Sequence, residues 1–404
     1  MPHARPGWLD ARRLARPLGG HVNALHSELC DAGARRTVAV TAGAVGYNAA
    51  ALVPGEPRLT VLDTPDAARV ADVLAGDLEA TALVVAVPPG VDRRGIDAVT
   101  AAVQRALRAD GIDPRSRTVA VVPPGQPAPD ALTVIEGPPD VHDVWTAFTP
   151  YSLVPGGIAG ADVRMLLGNA EQSYDADDPA NHALVLGALL AAAESVTITD
   201  TLGVEDVLVE LIRTLARSGG GLRRAGDRLT IDVDDGEADV RIGGNPTGRL
   251  HLFQRAVAVA GYLRGTDPTA PEEPPTEVPP LAFRDGDVDV HAAGLPAGVT
   301  TVAGALAALL DSRPGPVALH AHLDRESDAS AAVLRGELAR RARRPVTFTW
   351  APGRPPPGGL AVQLVGDVLQ DGPAPPGPGP DGLRLHLRDR LTGLVTLARA
   401  VQEL

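Results

Sequence analysis

The stretch Ala80–Val87, ATALVVAV, carries one polar side chain, Thr81, in eight residues. A strand with one wet face alternates polar and apolar residues. An unbroken apolar run belongs to a strand covered on both faces, as in a parallel sheet flanked by helices. The surrounding segments agree. RTVAVT predicts a strand over Thr37–Thr41, followed by a glycine turn at Gly43–Gly46 and the start of a helix. Arg58–Asp63 reads as a second strand, Ala68–Gly76 as a helix, Gly95–Gly111 as an amphipathic helix, and Arg117–Pro123 and Leu132–Pro138 as two more strands. Such βαβ alternation implies an α/β fold with a doubly wound parallel sheet.

The pattern then restarts on a smaller scale. Asn181–Ala193 predicts a helix, Ser195–Thr199 a strand, Val204–Gly221 a helix ending in glycines, Asp227–Val233 a strand, and Arg249–Gly265 a closing helix. Asp267–Ala282 is rich in Pro and Glu and reads as a linker. Beyond it, helices over Thr301–Leu310 and Ala329–Arg341 alternate with strands at Pro316–Leu323, Val346–Trp350, Leu360–Gly366 and Leu383–Leu387. The expected organisation is a first domain over 1–180, a smaller second one over 181–266, a linker over 267–282 and a mixed α/β unit over 283–404. A length of 404 residues with 44% hydrophobic content supports several cores, packed by Ala, Val and Leu because aromatics are only 3%.

Composition excludes several functions. All 37 basic residues are arginine, so there is no lysine for a Walker loop or a Schiff base. A net charge of -13 argues against nucleic acid and anionic membranes as partners. No apolar run approaches a membrane span, no signal-type apolar run follows the first residues, and Cys30 is the single cysteine, so a reducing, cytoplasmic setting is expected.

Three segments carry a resemblance. His142–Leu153, HDVWTAFTPYSL, is similar to an Asp-Val-Trp…Gly-Gly-Arg-Tyr-Ser active-site segment. RLHLFQRAVAVAGYLRGTDP is similar to a Phe-rich helix ending Ala-Gly…Leu-Gly-Ile-Asn-Pro, and GPVALHAHLD…LARRARRPVTFTWAPG to a terminal unit. In this order they resemble the phosphoglucose isomerase family, in the actinobacterial branch that is sometimes fused to transaldolase. The resemblance implies two sugar-isomerase-like (SIS) parallel sheets plus the terminal unit, a sugar-phosphate cleft, no cofactor, and a homodimer or a partnership with an enzyme of central carbon metabolism.

The family's chemistry moves a proton between two carbons through an enediol, which needs a phosphate clamp, a carboxylate base and a cation. Where the family has a Gly-Gly-Ser turn, this chain has Gly43, Ala44 and Val45. Where it has a row of phosphate-binding hydroxyls, this chain has Val87, Pro88, Pro89, Gly90, Val91 and Asp92. Two prolines there remove N–H donors. The family arginine falls on Pro150 and the glutamate on Thr214, and the late lysine has no counterpart. Losing the base costs on the order of 10²–10⁴ in rate, and losing one oxyanion donor or cation on the order of 10²–10³. The expected protein is a pseudoenzyme of carbohydrate metabolism (glycolysis or the pentose phosphate route), non-catalytic or regulatory. The alternative is an active isomerase of a sugar phosphate or related sugar derivative using relocated residues, with Glu210 as the replacement base.

Candidate cleft residues are Gly43, Gly46, Gly90, Arg93, Arg94, Tyr151 and Ser152. Arg93 and Arg94 at a helix start could clamp phosphate, or simply solvate the helix beside Asp92. Glu205, Asp206 and Glu210 are base candidates or an exposed acidic face. Tyr151 and Ser152, retained from the family segment, touch a sugar or hold a turn. His320 and His322 share one face of a strand with Asp324 beyond, which is either half a metal site or polar alternation; no metal site is expected. AGAVGYN with Asp63 imitates a dinucleotide fingerprint but lacks its glycine spacing. Cys30 shows no convincing His partner and reads as packing.

Overall fold

The computed structural model describes residues 7–53, 58–171, 181–193, 195–199, 205–217, 228–232, 238–270, 277–325, 327–350 and 359–404. The chain forms two compact units, Met1–Asp63 with Gly76–Pro271, and Thr64–Ala75 with Glu272–Leu404.

The first unit is built on five parallel strands, β1 (Arg36–Val40), β2 (Leu59–Leu62), β3 (Thr81–Ala86), β4 (Thr118–Val122) and β5 (Thr133–Glu136), in the order β2-β1-β3-β4-β5. Every residue of β3 is buried, as its unbroken apolar run requires. Helix Arg93–Ala109 turns Ile96, Val99, Val103 and Leu107 inward at helical spacing, and Asp92 caps its N-terminus through Arg94 N. The stretch His142–Gly160 folds as a 3-10 segment (Asp143–Phe148) and helix Pro150–Ile158, which packs against β1, β3 and β4. Its paired glycines are explained by close approach: a methyl on Gly157 would lie 2.3 Å from Val22 and 2.8 Å from Val163.

A second parallel sheet in the same unit joins β6 (Ser195–Thr199), β7 (Arg228–Asp232) and β8 (Val240–Arg241) in chain order. Helix Pro246–Arg264 starts with Asn245 as cap and proline at its first turn, and stops at Gly265 in the left-handed region. It lies so close to helix His182–Ala192 that a methyl on Gly187 would sit 2.8 Å from the Ala256 carbonyl oxygen.

The second unit holds a mixed sheet of β9 (Leu281–Asp285), β10 (Val288–Ala292), β11 (Val317–His322), β12 (Val346–Thr349), β13 (Leu360–Val365) and β14 (Leu383–Leu387), ordered β12-β11-β13-β14-β10-β9. β11 to β14 are parallel, and β10 runs antiparallel to β14 and β9. The β9–β10 hairpin is absent from the sequence expectation, although Asp285-Gly286 at its turn, with Gly286 at φ 57°, is a turn signal in the sequence. β9 begins at Leu281, inside the stretch read as linker.

One face of this sheet carries a polar row, His320, Gln363 and Arg384 in register across β11, β13 and β14. Pro375 and Pro376 carbonyls accept hydrogen bonds from Arg384 and Gln363. A proline strap can accept but not donate, and Gln363 Oε1 correspondingly has no partner among the described residues.

Segment Thr64–Ala75 belongs to this second unit. Helix Ala67–Leu74 is capped by Asp66, which also pairs with Arg390, and Pro65 and Asp367 carbonyls bind Leu369 N and Ala67 N. These contacts lie beyond the carboxyl ends of β11 and β13, where the strand order reverses.

Candidate functional site

In a doubly wound sheet, ligands sit outside the carboxyl ends of the strands where the strand order reverses. In the first sheet that point lies between β1 and β3. Thr41–Gly43 follow β1 and Val87–Gly90 follow β3, and both loops turn on glycines with positive φ, 59° at Gly43 and 79° at Gly90. Side chains rarely adopt that conformation, so the glycines are conformationally required.

The 3-10 segment supplies the adjoining wall. A methyl on Gly43 would lie 3.8 Å from Asp143 Oδ1, and one on Gly90 3.3 Å from His142 Nδ1. His142 Nδ1 is 3.2 Å from the Pro89 carbonyl oxygen and donates to it. Asp143 itself has φ 49°, a strained value for a residue with a side chain. A buried network holds it. Asn48 Nδ2 donates to Val144 O at 3.2 Å and Thr146 Oγ1 at 3.0 Å, Thr146 Oγ1 donates to Asp143 O at 2.7 Å, and Gln254 Nε2 donates to Val144 O at 3.1 Å.

Two buried polar atoms in this region, Thr41 Oγ1 and Asn48 Oδ1, have no hydrogen-bond partner among the described residues. Leaving such a group unsatisfied costs about 1–3 kcal/mol, so each calls for a water or a ligand hydroxyl. The sequence reading missed both. Asn48 is detectable in retrospect as the one amide in the apolar helix Ala44–Leu52.

The structure gathers Gly43 and Gly90 here with His142 and Asp143, and places the other candidates differently. Gly46 packs on the end of β2, where a methyl would meet Asp63 Oδ2 and Val61 at 2.9 Å. Asp63 thus closes against a helix. Arg93 is held by Asp97 at 2.9 Å and by the Pro127 carbonyl, and Arg94 by Asp92 at 2.6 Å. Tyr151 and Ser152 are fully buried. Tyr151 donates to Pro138 O, beyond β5, at 3.3 Å, and burial pushes its phenol pKa up. Ser152 lies 3.4 Å from Thr146 Oγ1, inside the network rather than at a surface.

Phe148 stands edge-on to His251, Thr149 donates to Thr146 O, and Pro150 opens a helix. Thr214 bonds back to Leu211 O in its own helix at 2.6 Å. Glu210 lies on helix Glu205–Arg217, but its side chain, like those of Glu205 and Asp206, is outside the described residues.

His320, His322 and Asp324 are buried, with His320 Nδ1 2.9 Å from Thr349 Oγ1. Among the described residues no group of three or more His, Cys, Asp and Glu is arranged to hold a metal ion. Cys30 is a correction: His26 Nε2 lies 3.6 Å from its sulfur. The spacing of four residues on one helix puts the two side chains on one face, a signal present in the sequence.

Burial, with Arg255 and Arg12 nearby, pushes His251 down from 6.5 to about 3. A depressed histidine stabilises the fold above its unfolded pKa, and that contribution is lost as pH falls through the folded value. The unfolding free energy of the first unit should therefore drop between pH 6.5 and about 3, by about 1.4 kcal/mol per pH unit from this group. Denaturant titrations across that range should show a shallower slope for His251→Leu.

No protein-family model matches the chain, and no curated protein matches it. Among solved structures, a hypothetical protein from Thermus thermophilus is similar, with a TM-score of 0.53 and 16% identity over 67% of this chain and 87% of that one. A glucose-6-phosphate isomerase from Chlamydia trachomatis has a TM-score of 0.49 and 15% identity, covering 65% of this chain and 70% of its own. The C-terminal domain of a glucosamine-fructose-6-phosphate aminotransferase from Francisella tularensis has a TM-score of 0.39 and 9% identity, covering 67% and 99%. At such identity the first likeness speaks for the fold alone, an α/β arrangement of parallel sheets and flanking helices.

Proposed function

We propose that this chain is a sugar-isomerase-related protein that binds a small sugar-phosphate-class ligand at the β1/β3 switch point without isomerising it, and so acts as a non-catalytic or regulatory relative of the phosphoglucose isomerases. The observation that carries the reading is the chemistry around Gly43 and Gly90. The groups there, Thr41, Asn48 and His142, offer hydrogen bonds suited to hydroxyls. Arg93 and Arg94 are engaged by carboxylates; on the resemblance, Pro150 and Thr214 fall where the family has its arginine and glutamate, and the chain has no lysine. Binding survives such losses more readily than proton transfer, because general-base and electrostatic contributions act on the transition state. A cytoplasmic homodimer, or a complex with an enzyme of glycolysis or the pentose phosphate route, belongs to the same proposal, and light scattering measures the first.

The test has two arms. In a coupled assay, purified protein should convert fructose 6-phosphate no faster than the blank. Turnover abolished by Glu210→Gln would overturn the reading in favour of an isomerase with relocated residues. In calorimetry, fructose 6-phosphate should bind the native chain and not Gly90→Val, whose side chain would press on His142. Absence of binding to the native chain removes the ligand from the proposal.

A further inference from the structure

The two faces of the second unit's sheet differ in kind. Side chains alternate along a strand, and the register sets Leu319, Val362 and Leu383 in an apolar row. Helix Arg390–Glu403 covers that face: a methyl on its Gly393 would lie 2.9 Å from Leu387 Cδ2. Helices Val302–Ser312 and Ser330–Ala342 pack against it. The opposite face carries the row His320, Gln363 and Arg384, with His291 beside Arg384 on β10. One step towards the carboxyl ends of β11 and β13, the next row is His322, Val365 and His386.

Arg384 is the unusual member. It is 8% exposed, and its Nη1 donates to the Pro375 carbonyl at 3.2 Å. Among the described residues no carboxylate pairs with it, and its Nε and Nη2 carry no hydrogen bond. The acids nearby are matched elsewhere, Asp289 with Arg284 at 3.0 Å and Arg388 at 3.3 Å, and Asp367 with His386 at 2.9 Å. A cation taken out of water destabilises a fold unless a counter-charge accompanies it.

Two neighbouring side chains are also unsatisfied. Gln363 is 2% exposed and His322 is 6% exposed. Gln363 Oε1 and His322 Nε2 have no hydrogen-bond partner among the described residues. Burial first and the Arg384 charge second push the His322 pKa down to about 3, so its imidazole is neutral. The proline strap cannot serve Gln363 Oε1, because a prolyl nitrogen has no hydrogen to donate.

These demands define a ligand. One buried guanidinium is balanced by one negative charge, and its Nε–Nη2 edge matches a planar carboxylate. The Gln363 oxygen accepts only, so it needs a hydroxyl or N–H. In the second row Val365 stands between two longer imidazoles, and the His386 side chain at one end is 30% exposed, which gives the way in.

We propose that the polar face of this sheet binds a small hydroxycarboxylate, its carboxylate on Arg384 and its hydroxyl on Gln363 Oε1, with His322 beside it. The site lies within the second unit and is independent of the switch-point reading in the first.

Calorimetry on the full chain tests it, with glycerate, acetate, glycerol and inorganic phosphate as probes at matched ionic strength. Glycerate should bind, acetate roughly 2- to 10-fold more weakly for want of one neutral hydrogen bond, and glycerol not at all. Arg384→Gln should weaken glycerate binding roughly tenfold or more, and Gln363→Leu should reduce it to the level of acetate. Gly90→Val should bind glycerate as the native chain does; loss there would assign the binding to the first unit and overturn the site. Arg384→Gln removes a buried charge that has no counter-ion, so the second unit should unfold at no lower urea concentration than in the native chain. A variant that fails to fold would show that the cation is already compensated, and the proposal falls. No glycerate binding to the native chain would mean that water alone meets these groups and would overturn the site. So would phosphate binding as tightly as glycerate, or glycerate binding unchanged in Arg384→Gln.

Discussion

Arg390→Met should destabilise the second unit by about 3–5 kcal/mol, the cost of breaking a buried ion pair from one side. Arg390 bonds Asp66 and, at 2.9 Å, Asp328; both carboxylates are buried. Removing the guanidinium leaves two carboxylates near one another without a cation. Burial already raises the Asp66 pKa, and its bonds from Arg69 N and Arg390 only partly offset that. A carboxyl raised in the folded state contributes stability that is present below the ordinary carboxylate range and lost as pH rises through the folded value. The methionine variant should raise it further, so its deficit should shrink as pH is lowered. Asp66→Asn should partly rescue Arg390→Met. Urea titrations at two pH values measure both effects, and a deficit that is the same at both would show that the carboxylates are solvated.

Phe253→Ala should cost the first unit about 3–5 kcal/mol, through lost burial and the cavity left behind. Phe253 is fully buried on helix Pro246–Arg264, next to Gln254, which holds the Val144 carbonyl beneath the candidate site. The loss should appear in the transition of the first unit, with that of the second unit unmoved, when unfolding is followed with probes specific to each. Fructose 6-phosphate binding should weaken with it, since the network around Asp143 depends on that helix.

The physics of the chain explains what was legible in advance. Strand β3 is buried throughout, and its near-unbroken apolar run announces that state locally, whereas β11 and β13 are buried just as fully while carrying His320, His322 and Gln363. The glycine turns after β1 and β3 were legible because positive φ selects glycine. Tyr151 and Ser152 were misleading: two polar residues in a familiar segment suggested a ligand surface, whereas their hydroxyls serve packing and internal bonds. Thr41 and Asn48 were passed over because burial, which makes their unpaired atoms informative, is not a property of any short window.

The sequence by itself determined the α/β class, the parallel strands, the glycine loops at the switch point, and the absence of lysine chemistry. Each of these follows from residue type or from periodicity within about ten positions. The tertiary structure alone decided that Thr64–Ala75 belongs to the second unit, and that His26, Arg35 and Arg58 share one cavity. Asp66 and Arg390 meet across 324 positions. A charge pair of that separation has no local signature, because what selects it is the low dielectric and the geometry created only when the chain has folded.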